Sequence, residues 1–336
     1  MERLLSSSSG LTGPWPWSRL KIPVIAAPML RVSGPELVVA ACASGIIGAF
    51  PTANARSTDE LDQWLLAAQS SLSRQHDAGE AVGIVCPNLI IRHPRLIDDL
   101  ACVVRHRVSM VITSVGSPAP VISPLHDVGC LVFADVASIA HAEKALRAGA
   151  DGLVLLCAGA GGQTGWANGM AFARAVRGFF DGPLVLAGGI SDGQALWAAR
   201  ALGCDLAYMG TKFIATVESR ASKDYKRMLV ASTLDDVVLT RAFTGLDANM
   251  LRPSIEAAGL DPTQLEEQVT RETASARFGS NQGSSAPKRW TDIWSAGHSV
   301  AGVTRLQTVA SLVEATSREF RLARERCFAE LLAERG

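Results

Sequence analysis

The stretch from Asp151 to Ile190 reads DGLVLLCAGAGGQTGWANGMAFARAVRGFFDGPLVLAGGI and contains one complete strand–helix–strand unit. Its two apolar runs, Gly152–Cys157 and Pro183–Ala187, do not alternate polar with apolar residues. Continuous runs of this kind are typical of strands that are covered on both faces, as in a parallel sheet. Between the two runs, Ala171–Phe180 has the amphipathic pattern of a helix. This stretch therefore predicts a β/α unit.

The same unit recurs along the chain, which contains eight such apolar runs in all. The six other runs are Val24–Met29, Gly45–Phe50, Val82–Leu89, Ser109–Val115, Cys130–Val136 and Leu206–Gly210. Further helical patterns cover Pro35–Ala43, Thr58–Ser71, Ser138–Ala148 and Gly193–Ala201. Eight repeats close naturally into a barrel, and the sequence therefore predicts an α/β protein with a (β/α)8 TIM barrel. A doubly wound open sheet is the alternative, although such sheets rarely need so many consecutive units.

The pattern changes after Phe213, and this change suggests the domain organisation. We predict a flexible N-terminal tail over 1–20 and a barrel formed by 21–213 together with 291–336. Residues 214–290 are predicted to form a mostly helical insertion near the barrel mouth. Within this insertion, Ala215–Ala231 has a helical pattern, whereas Thr270–Lys288 is rich in small and polar residues and is predicted to be a mobile loop or lid. The amphipathic segment Val303–Leu332 is predicted to be a helix that completes the outer ring of the barrel.

Composition excludes several classes of function. Lys+Arg and Asp+Glu both number 32, so no net positive charge favours nucleic acid or an anionic membrane. The apolar stretches are too short and too interrupted to span a bilayer. The 7 cysteines form no C-x-x-C pair and lie mostly in apolar runs, which predicts buried thiols in a reducing compartment and no metal site. We therefore expect a cytoplasmic protein acting on a small molecule. Barrels of this size are often dimers, but no interface signal decides between a monomer and a homodimer.

The carboxyl ends of the last two predicted strands suggest a phosphate site. In a TIM barrel the functional site lies at these ends, and the loops after strands seven and eight often bind phosphate. Here they read Ala187-Gly188-Gly189-Ile190 and Met209-Gly210-Thr211-Lys212. Glycine lets an anion approach the backbone, Thr211 can donate a hydroxyl hydrogen, and a helix beginning near Ser191 would add its positive end. Tight packing of strand against helix explains either glycine motif alone, whereas the two together favour phosphate.

The loop after the sixth strand, Gly159–Gly165, holds four glycines in seven positions. This density suggests close approach to a flat or phosphorylated ligand. The loop is neither a Walker A loop nor a G-x-G-x-x-G fingerprint, because the residues that those motifs require are missing. At the end of the first strand, Met29 follows Pro28 and could pack against an aromatic ring.

With these motifs in this order, the sequence resembles the nitronate monooxygenase family (2-nitropropane dioxygenases), which also includes enoyl reductases that depend on flavin mononucleotide (FMN). The resemblance covers about Ile22–Phe213 and resumes at Trp294–Gly297. It implies an FMN-dependent oxidoreductase that oxidises a nitronate with molecular oxygen.

The resemblance also implies roles for individual residues. Residues expected to bind the cofactor are Ala27, Pro28 and Met29 along the flavin ring, Gly161 and Gly162 flanking it, Asn88 near the ring or ribityl chain, Asp135 at a position that some relatives fill with a flavin-contacting lysine, and Gly188, Gly189, Gly210 and Thr211 at the phosphate. The turn Ala296-Gly297 is expected to return near the flavin.

Two positions depart from the family pattern. The glycine-rich loop usually carries a histidine that acts as catalytic acid or base, and here that position is Gln163. The turn that usually reads Ala-Gly-Gln is Ala296-Gly297-His298. A glutamine amide can donate and accept hydrogen bonds but does not titrate near neutral pH, so Gln163 cannot remove a proton from a neutral nitroalkane.

These departures leave several hypotheses open. The enzyme could oxidise an already anionic nitronate with Gln163 as an orienting group, or His298 could have taken over the acid–base role. The chemistry could instead be reduction of an activated double bond with a nicotinamide cofactor. A flavin-binding protein without turnover and a barrel for another phosphorylated ligand are further alternatives. The remaining histidines, at 76, 93, 106, 126 and 141, are expected to have surface or capping roles.

Overall fold

A computed structural model describes residues 15–79, 81–279 and 287–333. Eight parallel strands form a closed barrel in which the last strand pairs with the first, Ala26 opposite Met209. The barrel strands are β1 (Val24–Ala26), β2 (Ile47–Pro51), β3 (Val85–Ile90), β4 (Met110–Ser114), β5 (Leu131–Val136), β6 (Gly152–Leu156), β8 (Leu184–Ala187) and β9 (Leu206–Met209). A two-residue strand, β7 (Gly162–Gln163), lies outside the barrel. The predicted TIM barrel is confirmed.

Helices surround the strands. They are α1 (Pro35–Ala43), α2 (Thr58–Asp77), α3 (Leu96–Arg105), α4 (Ala119–His126), α5 (Ile139–Arg147), α6 (Gly169–Arg177), α7 (Gly193–Ala201), α8 (Thr211–Ile214), α9 (Lys223–Ala231), α10 (Arg252–Ala257), α11 (Arg271–Phe278) and α12 (Val309–Ala333). Side-chain caps fix several starts: Ser138 accepts from the His141 amide before α5, and Asn168 accepts from the Met170 amide before α6. The C-terminal α12 packs against α7 and α1 and so completes the outer layer between the end and the beginning of the barrel.

Apolar side chains fill both faces of the sheet. Ile25, Met110, Phe133 and Val185 are among those that pack inside the barrel, all fully buried. Other strand residues pack outward against the helices, for example Leu153 against the layer that contains Phe172. This two-sided burial explains why the strands lack polar alternation. Six of the cysteines are buried, as expected from their apolar surroundings, and Cys327 is partly exposed.

The insertion differs from the mostly helical region expected at 214–290. Besides its helices it contains an antiparallel hairpin, β10 (Val237–Thr240) and β11 (Ala248–Leu251). Strand β11 also pairs with β7, so the insertion and the glycine-rich loop share a three-stranded sheet. The predicted domain boundaries stay a prediction, because the presence of the hairpin does not test them.

Two predicted segments in this part of the chain, one helix and one loop, extend further than the structure shows. The helix expected over Ala215–Ala231 begins only at Lys223, because Val217 instead donates its amide to Gln307 and Ser222 caps the shorter helix. The loop expected over Thr270–Lys288 begins with a helix, α11, which Thr270 caps through the Thr273 amide. The rest of that loop, 280–286, and most of the predicted N-terminal tail lie outside the described residues. Among the described helices, none is both long and apolar enough to cross a membrane.

Candidate functional site

A cavity of about 580 Å³ opens at the carboxyl ends of the barrel strands. Every residue predicted to bind cofactor or substrate lines it except His298: these are Ala27, Pro28, Met29, Asn88, Asp135, Gly161, Gly162, Gln163, Gly188, Gly189, Gly210 and Thr211. Since these residues come from six different strand ends, the barrel has brought them together as the sequence predicts.

The turn after β1 is held by two polar side chains. Ser33 accepts from the Met29 amide at 3.0 Å and donates to the Ala27 carbonyl at 3.2 Å. The Asn54 side chain donates to the carbonyls of Met29 and Ser33, both at 2.8 Å. These bonds fix the conformation of the turn, and Ala27, Pro28 and Met29 line one side of the cavity.

The ends of β8 and β9 offer backbone donors. The amides of Gly188, Gly189, Gly210 and Thr211 donate no hydrogen bond to any described residue, while all four residues line the cavity. Gly188 has a φ of +123°, and a Cβ there would lie 2.9 Å from the Ala160 nitrogen, so only glycine fits this position without strain. Unpaired amides on adjacent strand ends are well suited to an anion.

The helix whose dipole the sequence predicts beside this site is capped by two carboxylates. At the start of α7, Asp192 accepts from the Ala195 amide at 2.8 Å, and Glu319 accepts from the Gly193 amide at 3.0 Å. These two amides already have acceptors, so they are not donors for a phosphate. The contribution of the α7 dipole to a phosphate site stays a prediction.

The glycine-rich loop is anchored by the insertion. The buried Asn249 on β11 donates to the carbonyls of Ala158 and Ala160, both at 2.7 Å. A Cβ at Gly161 would lie 2.7 Å from the Gly297 nitrogen, so the loop and the Ala296-Gly297 turn touch backbone to backbone. Sequence reasoning missed Asn249, because nothing in its neighbourhood shows that it reaches a loop some 90 residues earlier.

Gln163 lies at the end of β7, and its backbone pairs with Ala248 of the insertion. Its side chain lines the cavity and is half-buried. None of the hydrogen bonds described for the chain involves the Gln163 amide group. The amide is therefore available to orient a ligand, both as donor and as acceptor.

His298 is exposed and does not line the cavity. Its amide donates to the Gly159 carbonyl at 2.9 Å, and its ring lies so close to Gly159 that a Cβ there would be 3.0 Å from Nδ1. The ring thus packs on the backbone of the loop instead of facing Gln163 across the cavity. This placement disfavours His298 as a replacement acid or base.

Polar groups on the inner strands form the cavity floor. Asn88 is buried and donates to the Ile112 carbonyl at 3.3 Å, while Ser114 donates to its Oδ1 at 3.2 Å. Asp135 on β5 has no such partner for its Oδ1 atom, and burial raises the pKa of this carboxyl to about 7. Tyr208 on β9 also lines the floor with an unpartnered hydroxyl, and burial raises its pKa well above the usual 10. The sequence analysis did not identify Tyr208.

The outer part of the cavity comes from the insertion and the segment after it. Tyr225 stacks on Trp294 with ring centroids 4.9 Å apart and donates its hydroxyl hydrogen to the Ser295 carbonyl. Trp290 and two cationic side chains, Arg271 and Arg289, line the same region. This part of the cavity is therefore lined by aromatic rings and by charges of both signs, since Glu272 lines it as well.

Two of the other histidines lie in hydrogen-bonded networks away from the cavity. The Nε2 atom of His106 lies 2.9 Å from Asp62, which also accepts from Arg105 at 3.2 Å. His126 lies 2.9 Å from Asp151. These contacts give both rings a hydrogen-bond partner. The potential ligand atoms of Asp62, Cys102 and His106 also lie close enough together to hold a metal ion.

Curated relatives that cover most of the chain include a nitronate monooxygenase and a dehydrogenase. The nitronate monooxygenase of Paraburkholderia phytofirmans is 28% identical over 282 residues, covering 73% of this chain and 77% of its own. The (3aS,4S,5R,7aS)-5-hydroxy-7a-methyl-1-oxo-octahydro-1H-indene-4-carboxyl-CoA dehydrogenase of Rhodococcus jostii is 27% identical, covering 69% of this chain. The match spans 63% of that relative's length.

Two solved structures share the whole fold. FabK from Thermotoga maritima superposes with a TM-score of 0.74 at 26% identity, covering 94% of this chain and 97% of that one. Nitroalkane oxidase from Streptomyces ansochromogenes gives a TM-score of 0.72 at 25% identity, with 93% and 99% covered. A model of the family described as nitronate monooxygenase matches residues 87–319, which include the floor, the glycine-rich loop and both phosphate-binding candidates. The chain therefore belongs to the nitronate monooxygenase family, a family of oxidoreductases.

Proposed function

We propose that this protein is an FMN-dependent oxidoreductase that oxidises a nitronate or a similar carbanion with molecular oxygen. The observation that carries the cofactor assignment is the set of four amides at Gly188, Gly189, Gly210 and Thr211, which belong to cavity-lining residues and donate to no described residue. A phosphate group could accept from them, and barrels often bind phosphate at the ends of their last two strands.

The remainder of the cavity fits the ring of a flavin. Ala27, Pro28 and Met29 line it beside β1, and Gly161 and Gly162 line it in the glycine-rich loop. Glycine leaves room for a flat ring to approach the backbone, and the Met29 thioether suits contact with an aromatic system. Asn88 and Asp135 supply polar groups on the floor. FMN combines these two requirements, since it carries a phosphate and a flat, acceptor-rich ring.

When bound, the flavin would accept the electrons of the substrate and pass them on to oxygen. The role of the protein is then to hold and orient the substrate. Gln163 can donate a hydrogen bond to a nitro oxygen through its side-chain amide, but it cannot act as a base. A nitronate has already lost its proton, so this substrate class needs no base at position 163. Arg271 and Arg289 line the cavity together with a single carboxylate from the same region, Glu272, so the charge of these three side chains is net positive and favours an anion.

A reductase of an activated double bond is the second candidate, for which a bound FMN would supply the hydride chemistry and a nicotinamide cofactor would be the reductant. Two observations favour it: the full-length similarity to FabK and the absence of the acid–base histidine from Gln163's position. The Rhodococcus relative, 27% identical over 239 residues, is a carboxyl-CoA dehydrogenase, so a similar sequence also occurs in an enzyme named for other chemistry.

The test begins with the absorbance spectrum of the purified protein, with FMN added if it is colourless. Propyl-2-nitronate and NADH are then added separately under anaerobic conditions. Bleaching of the flavin bands by the nitronate supports the oxidase proposal, whereas bleaching by NADH alone supports the reductase. Gln163→His is the matched variant: gain of activity on the neutral nitroalkane, with unchanged activity on the nitronate, would show that position 163 limits proton removal. A protein that takes up no flavin would contradict both candidates.

A further inference from the structure

Two polar atoms beneath the cavity have no hydrogen-bond partner. They are Oδ1 of Asp135 on β5 and the hydroxyl of Tyr208 on β9, and both are sealed from solvent. Both residues also line the cavity, so the two atoms lie at its floor. Buried polar groups in native proteins are nearly always paired, and an exception calls for an explanation.

The surroundings of Asp135 favour a neutral carboxyl. Burial is the cause that raises its pKa to about 7, and no neighbouring cation opposes the shift. The titratable groups that face it are the Tyr208 hydroxyl on β9 and the buried Cys86 thiol on β3, both of which burial keeps protonated because it raises their pKa values. The charged side chains that line the cavity, Arg271, Glu272 and Arg289, belong to the insertion and the segment after it.

A neutral carboxyl can donate one hydrogen bond through its O–H group and keeps an acceptor oxygen. Oδ1 of Asp135 and the Tyr208 hydroxyl have no partner, so the two groups are not hydrogen-bonded to each other. The acid's own donor is then free to point into the cavity. An ionised carboxylate offers acceptors only, and it would face an acceptor-rich ligand with repulsion instead of a hydrogen bond.

We propose that Asp135 presents a protonated carboxyl to the flavin ring, so that the affinity for FMN falls as Asp135 ionises. This inference rests on the proposed function, since it takes FMN as the ligand. The contribution of the cavity floor to FMN affinity is therefore expected to depend on pH, whereas the contribution of the backbone amides is not.

The direction of the pH dependence follows from linkage. The complex favours the protonated acid, so FMN binds best below the pKa of Asp135 and loses affinity as the pH rises through it. Between about pH 6.5 and about pH 8.5 the dissociation constant of the wild-type protein is expected to rise on the order of tenfold. The FMN phosphate has its own pKa near 6, so it contributes little over this range.

The experiment measures the dissociation constant of FMN by fluorescence quenching across this pH range. Asp135→Asn keeps a donor at the same position but cannot ionise, so its affinity is expected to be nearly independent of pH and to exceed that of the wild type at high pH. Glu272→Gln is the matched control, because it changes another cavity-lining acid whose pKa is already lowered, mainly by a hydrogen bond to its own backbone. This control is expected to retain the wild-type pH dependence.

Wild-type affinity that does not change with pH, or an Asp135→Asn variant with the wild-type slope, would overturn the inference while leaving FMN binding intact. Failure of every variant and of the wild type to bind FMN at any pH would overturn the proposed function together with it. Should Asp135→Asn not fold, the wild-type and Glu272→Gln profiles decide the question.

Discussion

The cavity has two walls that are built in different ways. The barrel wall consists of strand ends, where Gly188, Gly189, Gly210 and Thr211 present backbone amides. The insertion wall consists of side chains such as Trp290 and Arg289, which reach the cavity from segments far away in sequence. Backbone groups take their direction from the strand that carries them, whereas a side chain needs the whole tertiary structure to place it. This difference explains why the first wall could be predicted and the second could not.

Asn249 shows how one wall depends on the other. It belongs to the insertion, but its two hydrogen bonds fix the carbonyls of Ala158 and Ala160 in the glycine-rich loop of the barrel. The pairing of β11 with β7 fixes the backbone of Gln163 in the same way. The position of Gln163 is therefore decided jointly by both walls.

The largest expected effect is on the barrel wall, at Asp135. Its folded-state pKa of about 7 lies above the ordinary value of 3.8, so the protein without ligand loses stability as pH rises between these values and reaches a plateau above the higher one. The free energy of unfolding of Asp135→Asn, relative to wild type, should rise by up to about 4 kcal/mol over this range. Chemical denaturation at several pH values measures it. A constant difference between the two proteins would show that the Asp135 carboxyl is not perturbed.

The next largest effect tests the link between the walls. Asn249→Ala removes two donors and leaves one buried and one partly buried carbonyl without this partner, which should lower the free energy of unfolding by about 3 kcal/mol. FMN affinity should fall as well, because the loop that carries Gly161 and Gly162 loses its anchor. Thermal and chemical denaturation, followed by FMN titration, check both expectations. An Asn249→Ala protein with normal FMN affinity would show that the barrel wall holds the loop without help.

A smaller effect separates backbone strain from ligand contact. Gly189 has a φ of +76° and Gly129 a φ of +75°, and a Cβ at either position meets no atom within 4 Å. Replacement of either by alanine should therefore cost about 1 kcal/mol of stability. Only Gly189→Ala places a methyl group at the predicted phosphate site, so only this variant should bind FMN more weakly. Equal FMN affinities in the two variants would remove Gly189 from the cofactor site.

The smallest effect is expected at His298. Its exposed ring lies outside the cavity, so His298→Ala should change the rate of nitronate oxidation less than about twofold, in contrast to a catalytic acid or base, whose loss typically costs a hundredfold or more. Steady-state kinetics across neutral pH provide the measurement. A large loss of kcat with little change in KM would restore His298 as an acid–base candidate.

The accuracy of the sequence-based predictions follows from the range of the interactions involved. The barrel could be predicted because each strand is a continuous apolar run, and the helices α1 and α7 begin and end where their patterns indicate. The insertion could not be predicted well. Residues 215–222 have a helical pattern, but Val217 pairs with Gln307, and this contact between distant segments overrides local preference. The hairpin of β10 and β11 was missed for a similar reason, since its partner is the glycine-rich loop.

The sequence by itself determined the barrel, its closed ring of eight strands and the backbone groups at the strand ends, because these depend on local apolar runs and on glycines in the turns. Only the tertiary structure decided which charged groups reach the cavity. It showed that Glu319 accepts from the Gly193 amide at the start of α7, that His298 lies outside the cavity, and that Asp135 shares its floor with Tyr208. Each of these outcomes depends on burial or on a partner far away in sequence, and neither is encoded in the local pattern of residues.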